Sequence, residues 1–220
     1  MRPMSAPTQQ HPIQLIEDDA ALAQSILMLL SASNFTCVHY KSAEDFLASV
    51  KANPQALGLP TCVISDIRLP GMTGIDMMSR LKKDHPNCVW PVILITGHAD
   101  VTMAVDAMHM GAFDFLSKPF DPFLLPKKLS AAIEKSQQLK AGQDFVQTYE
   151  QHLTSLSEQE RKIFGMILEN QTSREIAETL GNSTRTIEVH RASIFKKMEA
   201  ASILDLAKHH ERYTLIQGQV

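Results

Sequence analysis

The chain has 220 residues, 44% of them hydrophobic and 20% charged, the balance of ordinary folded protein with room for two domains. No apolar run approaches the roughly 18 residues that cross a membrane, so no membrane partner is expected. A net charge of −3 excludes a protein that coats nucleic acid by bulk charge, but not one with a local basic face.

Residues 1–11 belong to a polar, proline-bearing stretch without an apolar centre, which reads as a flexible tail rather than a signal peptide. Short apolar strands then alternate with amphipathic segments. Strands are expected at Ile13–Ile16, Thr36–His39, Cys62–Ser65, Val92–Ile95 and Phe113–Leu116. Helices are expected at Ala20–Ser33, Ala43–Val50, Gly74–Lys83 and Val101–His109. A fifth helix should start at Asp121-Pro122 and bend at Pro126. Such alternation predicts an α/β doubly wound, five-stranded parallel sheet over residues 12–132. The methionines of 101–110 read as core packing. Cys37, Cys62 and Cys88 lack ligand spacing and read as buried thiols of a reducing cytoplasm.

Residues 133–152 turn polar yet stay helix-compatible, as in a helical linker with Gly142 its weak point. Residues 153–213 carry four short helices and no strand signal. Ser157-Glu-Gln-Glu160 and Thr172-Ser-Arg-Glu175 are capping boxes that open the first two. Gly181-Asn182 ends the second, and a third runs from Ser183 or Thr184 to about Met198. Ser202 can cap a fourth, in which His209-His210 reads as a solvated helix end; 214–220 is a tail. Ala177 and Gly181, four apart, give a small residue where helices touch and then a turn glycine, as in a helix-turn-helix.

In an open parallel sheet, ligands bind beyond the carboxyl ends of the strands. Glu17, Asp18 and Asp19 follow the first strand, Asp66 ends the third, Thr96 follows the fourth and Lys118-Pro119 the fifth. Asp19 by itself is explained as a helix cap. The other residues suit phosphoryl transfer to a carboxylate. An aspartate can accept the group as an acyl phosphate, and a hard divalent cation offsets its charge. Crowded carboxylates hold protons unless a cation is present.

Glu17-Asp18, Asp66 before x-x-Pro-Gly-x-x-Gly, Thr96 and Lys118-Pro119, in that order, resemble the receiver domain of two-component response regulators, a flavodoxin-like fold. The resemblance implies Asp66 as phospho-acceptor. Mg²⁺ would be held by Asp18, Asp66 and the backbone carbonyl of Arg68, with Glu17 acting through water. It implies that Thr96 and Lys118 contact the phosphoryl group, that Lys118–Pro119 is cis, and that Phe115 is the switch aromatic. Arg68 and His98 occupy positions that tune dephosphorylation in that family. Glu17 stands where aspartate is commoner, and Phe115 lacks a tyrosine's hydroxyl. A haloacid-dehalogenase-type phosphatase is disfavoured, because Arg68 stands where its second acid would be.

Between Ser183 and Met198, Arg185, Arg191, Lys196 and Lys197 oppose a single acid, Glu188. At 100° per residue, Ile187, Ile194 and Met198 line one side of the helix, and Arg185, Val189, Ala192 and Lys196 the other. The stretch from Leu153 resembles the LuxR/FixJ/NarL-type DNA-binding domain. That implies phosphate contact by Thr184 or Arg185 and base-facing positions at Glu188, Val189 and Ala192. Arg191 and Lys196 complete the expected DNA-binding set. The two resemblances together imply a transcription regulator rather than an enzyme. Its partners would be a histidine kinase, promoter DNA, RNA polymerase and, once phosphorylated, a second copy of itself.

Overall fold

The computed structural model describes residues 11–97 and 101–218, and for 101–104 the backbone alone. The chain divides into two compact units between Lys140 and Ala141.

In the first unit, β1 (Ile13–Ile16), β2 (Cys37–Tyr40), β3 (Val63–Asp66), β4 (Val92–Thr96) and β5 (Asp114–Ser117) form one parallel sheet in the order β2-β1-β3-β4-β5. Between them run α1 (Ala20–Ala32), α2 (Ala43–Ala52), α3 (Gly74–Asp84) and α4 (Val101–His109). β1, β3 and β4 are buried throughout, which is why Ile, Leu and Val dominate them and their polar members, Gln14, Ser65, Asp66 and Thr96, are buried as well. The sheet has a core on each face. Ile16, Phe46, Val63, Met77 and Leu94 lie in one, and Leu15, Ile26, Ile64, Ile93 and Leu129 in the other.

Some local expectations change. Met108 and Met110 are half exposed, and Ala107 enters the core from α4; the Met103 side chain lies outside the described residues. Cys62 is buried, but Cys37 and Cys88 are only half-buried. Burial lifts all three thiols above their ordinary range, Cys37 to about 12. Asp121-Pro122 forms a turn in which the Asp121 side chain accepts the N–H of Phe123 at 2.9 Å. The fifth helix, α5, then runs from Leu124 to Ser155. Pro126 therefore falls in its first turn, where an N–H has no helical partner to lose, and the reason for a bend disappears.

The second unit contains α6 (Glu158–Leu168), α7 (Ser173–Leu180), α8 (Thr184–Lys197) and α9 (Ile203–Gln217), around Ile163, Ile167, Ile176, Ile187, Ile194, Met198 and Leu206. Both capping boxes form, at Ser157/Glu160 and at Thr172/Glu175. Gly181 takes φ +65° and ends α7, donating to the Ala177 carbonyl. The C-terminal part of α5 packs into this core through Tyr149, with Phe145 and Leu153 beside it. His209 and His210 are partly buried rather than solvated. His210 Nδ1 lies 3.0 Å from the Tyr149 hydroxyl, and its ring stands edge-on to Phe164.

Candidate functional site: an acidic pocket and a helix face

The carboxyl ends of β1, β3, β4 and β5 converge, as the strand order requires. One carboxylate oxygen from each of Glu17, Asp18 and Asp66 can lie within 4.8 Å of the other two, the acidic group of this kind found among the described residues. Glu17 and Asp66 are buried and Asp18 is exposed. Asp19 stands apart as the N-cap of α1, accepting the N–H groups of Ala21 and Leu22.

Lys118 ties the pocket together. Its ammonium donates to Glu17 Oε2 at 2.8 Å and to Asp66 Oδ2. Burial raises the Glu17 carboxyl above its ordinary value; the bond and charge of Lys118 oppose that rise, and the charge of Asp66 adds to it. For Lys118, burial works against the charged form, but the bonds to Asp66 and Glu17 prevail and lift its pKa. The Lys118–Pro119 peptide is cis, as the resemblance implied, and the Lys118 N–H donates to the Thr96 carbonyl at 2.7 Å. Thr96 is fully buried at the end of β4. Phe115, half-buried on β5, packs against the core that contains Leu94 and Ala107.

The loop after β3 is shaped by close packing. Asp66 Oδ1 accepts the N–H of exposed Arg68 at 3.0 Å. Gly74 donates to the Ile67 carbonyl at 3.0 Å, and a methyl group there would overlap the Asp66 carbonyl oxygen. Gly71 takes φ +84°, and the neighbouring Met72 N–H is held by Glu44 Oε1 at 2.9 Å. Glu44, and His39 beside β1, are framing residues that no motif marks. His98 lies outside the described residues.

The donor set suits a small hard cation: three carboxylates, with an exposed side through Asp18. Crowding of the acids supports the same conclusion, since among the described residues Lys118 is the cation paired with them.

On α8, Ile187 and Ile194 are buried, as is Met198 at its C-cap, while Thr184, Arg185, Glu188, Val189, Ala192 and Lys196 are exposed. Val189 is 65% exposed, a high value for an apolar side chain. Arg191 is turned partly inward. Its guanidinium reaches the Gln171 carbonyl at 3.5 Å and lies 6.0 Å from the Phe195 ring centre. Beneath this face, Glu160 fastens α8 to α6. The carboxylate accepts from Ser193 Oγ and Lys197 Nζ, each at 2.7 Å, and from the Ser157 N–H at 2.7 Å. These bonds hold the Glu160 carboxyl well below the usual range, at about 2. The capping-box pattern marked Glu160, but nothing local revealed its hold on α8.

Two family models match, one described as a response regulator receiver domain over residues 13–130 and one as bacterial regulatory proteins, luxR family, over 154–210. The transcriptional regulatory protein FixJ of Bradyrhizobium diazoefficiens is 34% identical over 201 residues, covering 91% of this chain and 95% of that protein. The response regulator protein TodT of Pseudomonas putida is 33% identical over 200 residues, covering 91% and 85%. Among solved structures, the response regulator StyR aligns at TM-score 0.79 with 26% identity, over 92% of this chain and 98% of that one. Full-length FixJ from B. japonicum aligns at TM-score 0.54 with 34% identity, over 92% and 97%. The chain therefore belongs to the two-component response regulators, as a transcription regulator with a receiver domain followed by a LuxR-type DNA-binding domain.

Proposed function

We propose that this regulator is switched by phosphorylation of Asp66. The observation that carries the reading is the meeting of three carboxylates, Lys118 and Thr96 at one sheet edge. An Asp66 carboxylate oxygen attacks the phosphorus of a phosphohistidine on the partner kinase. The new O–P bond replaces the N–P bond, and the released imidazole takes up a proton. Glu17, Asp18 and Asp66, with the Arg68 carbonyl, would hold Mg²⁺, whose charge offsets that of the phosphoryl oxygens during transfer. Lys118 leaves its bond to Asp66 for a phosphoryl oxygen, and the Thr96 hydroxyl takes another. Phe115 then follows Thr96 inward and alters the surface of α4 and β5. Arg68 and His98 set how readily water reaches the acyl phosphate.

That altered surface favours a homodimer, which brings two α8 helices to successive half-sites of promoter DNA about one helical turn apart. Thr184, Arg185, Arg191 and Lys196 supply phosphate contacts, while Glu188, Val189 and Ala192 face the bases. The bound dimer acts on RNA polymerase in the cytoplasm, where kinase and promoter are both at hand. The chain works as a switch rather than an enzyme with a substrate of its own. The domains are assigned to 12–132 and 153–213, joined by 133–152.

Intact-mass spectrometry after incubation with acetyl phosphate and Mg²⁺ tests the phosphorylation step. Wild type should gain one phosphoryl group and Asp66→Asn none. Equal labelling of Asp66→Asn would overturn the assignment.

A further inference from the structure

We propose that His39 is a positioning residue of the acidic pocket: it holds the peptide unit between Glu17 and Asp18, and so sets how these two acids present themselves to a divalent cation. This rests on reading the pocket as a Mg²⁺ site. His39 lies on β2, 22 residues from Glu17 in sequence, and its Nε2 is 2.8 Å from the Glu17 carbonyl oxygen. A carbonyl only accepts, so Nε2 carries the hydrogen.

The position of that bond gives it leverage. The strand ladder holds the Glu17 N–H, which donates to the Tyr40 carbonyl at 3.1 Å. Two residues later the chain has left the sheet, and the Asp19 side chain caps α1. The Glu17–Asp18 peptide plane lies between these two anchors, and His39 grips it from the edge strand. Because the peptide is planar, fixing its carbonyl also fixes the line from Glu17 to the Asp18 Cα.

The two acids differ in what else restrains them. Glu17 is buried, and its side chain is held by Lys118 at 2.8 Å and by the Asp19 N–H at 3.3 Å. Asp18 is exposed, so packing does little to aim it. Its carboxylate is therefore directed chiefly by the backbone that His39 holds.

Calorimetric titration of the full chain with Mg²⁺ tests this, using wild type, Asp66→Asn, His39→Leu and His39→Gln. Glutamine keeps an N–H donor at similar reach; leucine keeps bulk alone. His39→Leu should weaken Mg²⁺ binding about five- to tenfold, and His39→Gln should stay within about twofold of wild type. Should the leucine variant not fold, His39→Asn, polar but too short to reach the carbonyl, is expected to show the same weakening. A mere packing role would not be rescued by glutamine. Wild-type affinity in His39→Leu, or equal losses in the leucine and glutamine variants, would overturn the role of His39 and leave the metal site standing. Absence of Mg²⁺ binding by wild type would overturn both.

Discussion

Glu160→Gln removes one negative charge from the joint between α6 and α8 with little change of shape. The Glu160 side chain is 6% exposed and accepts three bonds of 2.7 Å, one from an ammonium. A carboxyl lowered from 4.5 to about 2 corresponds to about 3 kcal/mol of stabilisation at neutral pH, as an upper bound. The Lys197 side chain is 35% exposed, so water takes over part of its solvation once the charge is gone. The expected loss is about 2 kcal/mol. Its pH dependence follows from the sign: the folded pKa lies below the unfolded one, so the contribution is complete above about pH 5 and fades as pH falls toward 2. Urea unfolding of wild type and variant, followed by far-UV circular dichroism at several pH values, measures it. The difference should be full at pH 7 and shrink steadily below pH 5. A difference under about 0.5 kcal/mol at pH 7, or one independent of pH, would refute the reasoning.

Gly74→Ala should lower the thermal midpoint sharply, costing about 3 kcal/mol or more, because the added methyl meets main-chain atoms that cannot rotate away. An unchanged melting curve would count against that packing. Tyr149→Phe removes the hydroxyl that meets His210 and should destabilise the second unit by about 1 kcal/mol, read from urea titration. Arg185→Ala and Lys196→Ala should each weaken binding to any duplex and lower the slope of log affinity against log salt by about one. A loss confined to one base sequence would move these side chains from phosphates to bases.

Much of the fold could be read from the chain because β1, β3 and β4 are buried on both faces. Their short, β-branched apolar stretches, set between turn residues, read as buried strands. The ends of elements were less legible. Thr36 was expected to open β2, but its carbonyl instead receives the Ile13 N–H just before that strand starts. The packing side of α5 was hidden because Phe145, Tyr149 and Leu153 recur every four residues among polar neighbours. Without partners such a stripe reads as polar helix; α9 supplies them through His209, His210, Arg212 and Tyr213. Met108 and Met110 misled in the opposite direction, since an apolar side chain carries no mark of whether a surface covers it. In the pocket, the acids, Thr96 and Lys118 were legible because strand ends converge by topology. His39 and Glu44 were not, since their roles depend on contacts between segments 22 and 28 residues apart.

The most direct measurement is the solution mass of the full chain with Mg²⁺, before and after adding beryllofluoride, which mimics the phosphoryl group. A shift from monomer to dimer that Asp66→Asn fails to show is the predicted result. An unchanged mass in wild type, or the same shift in Asp66→Asn, would contradict a switch seated at Asp66.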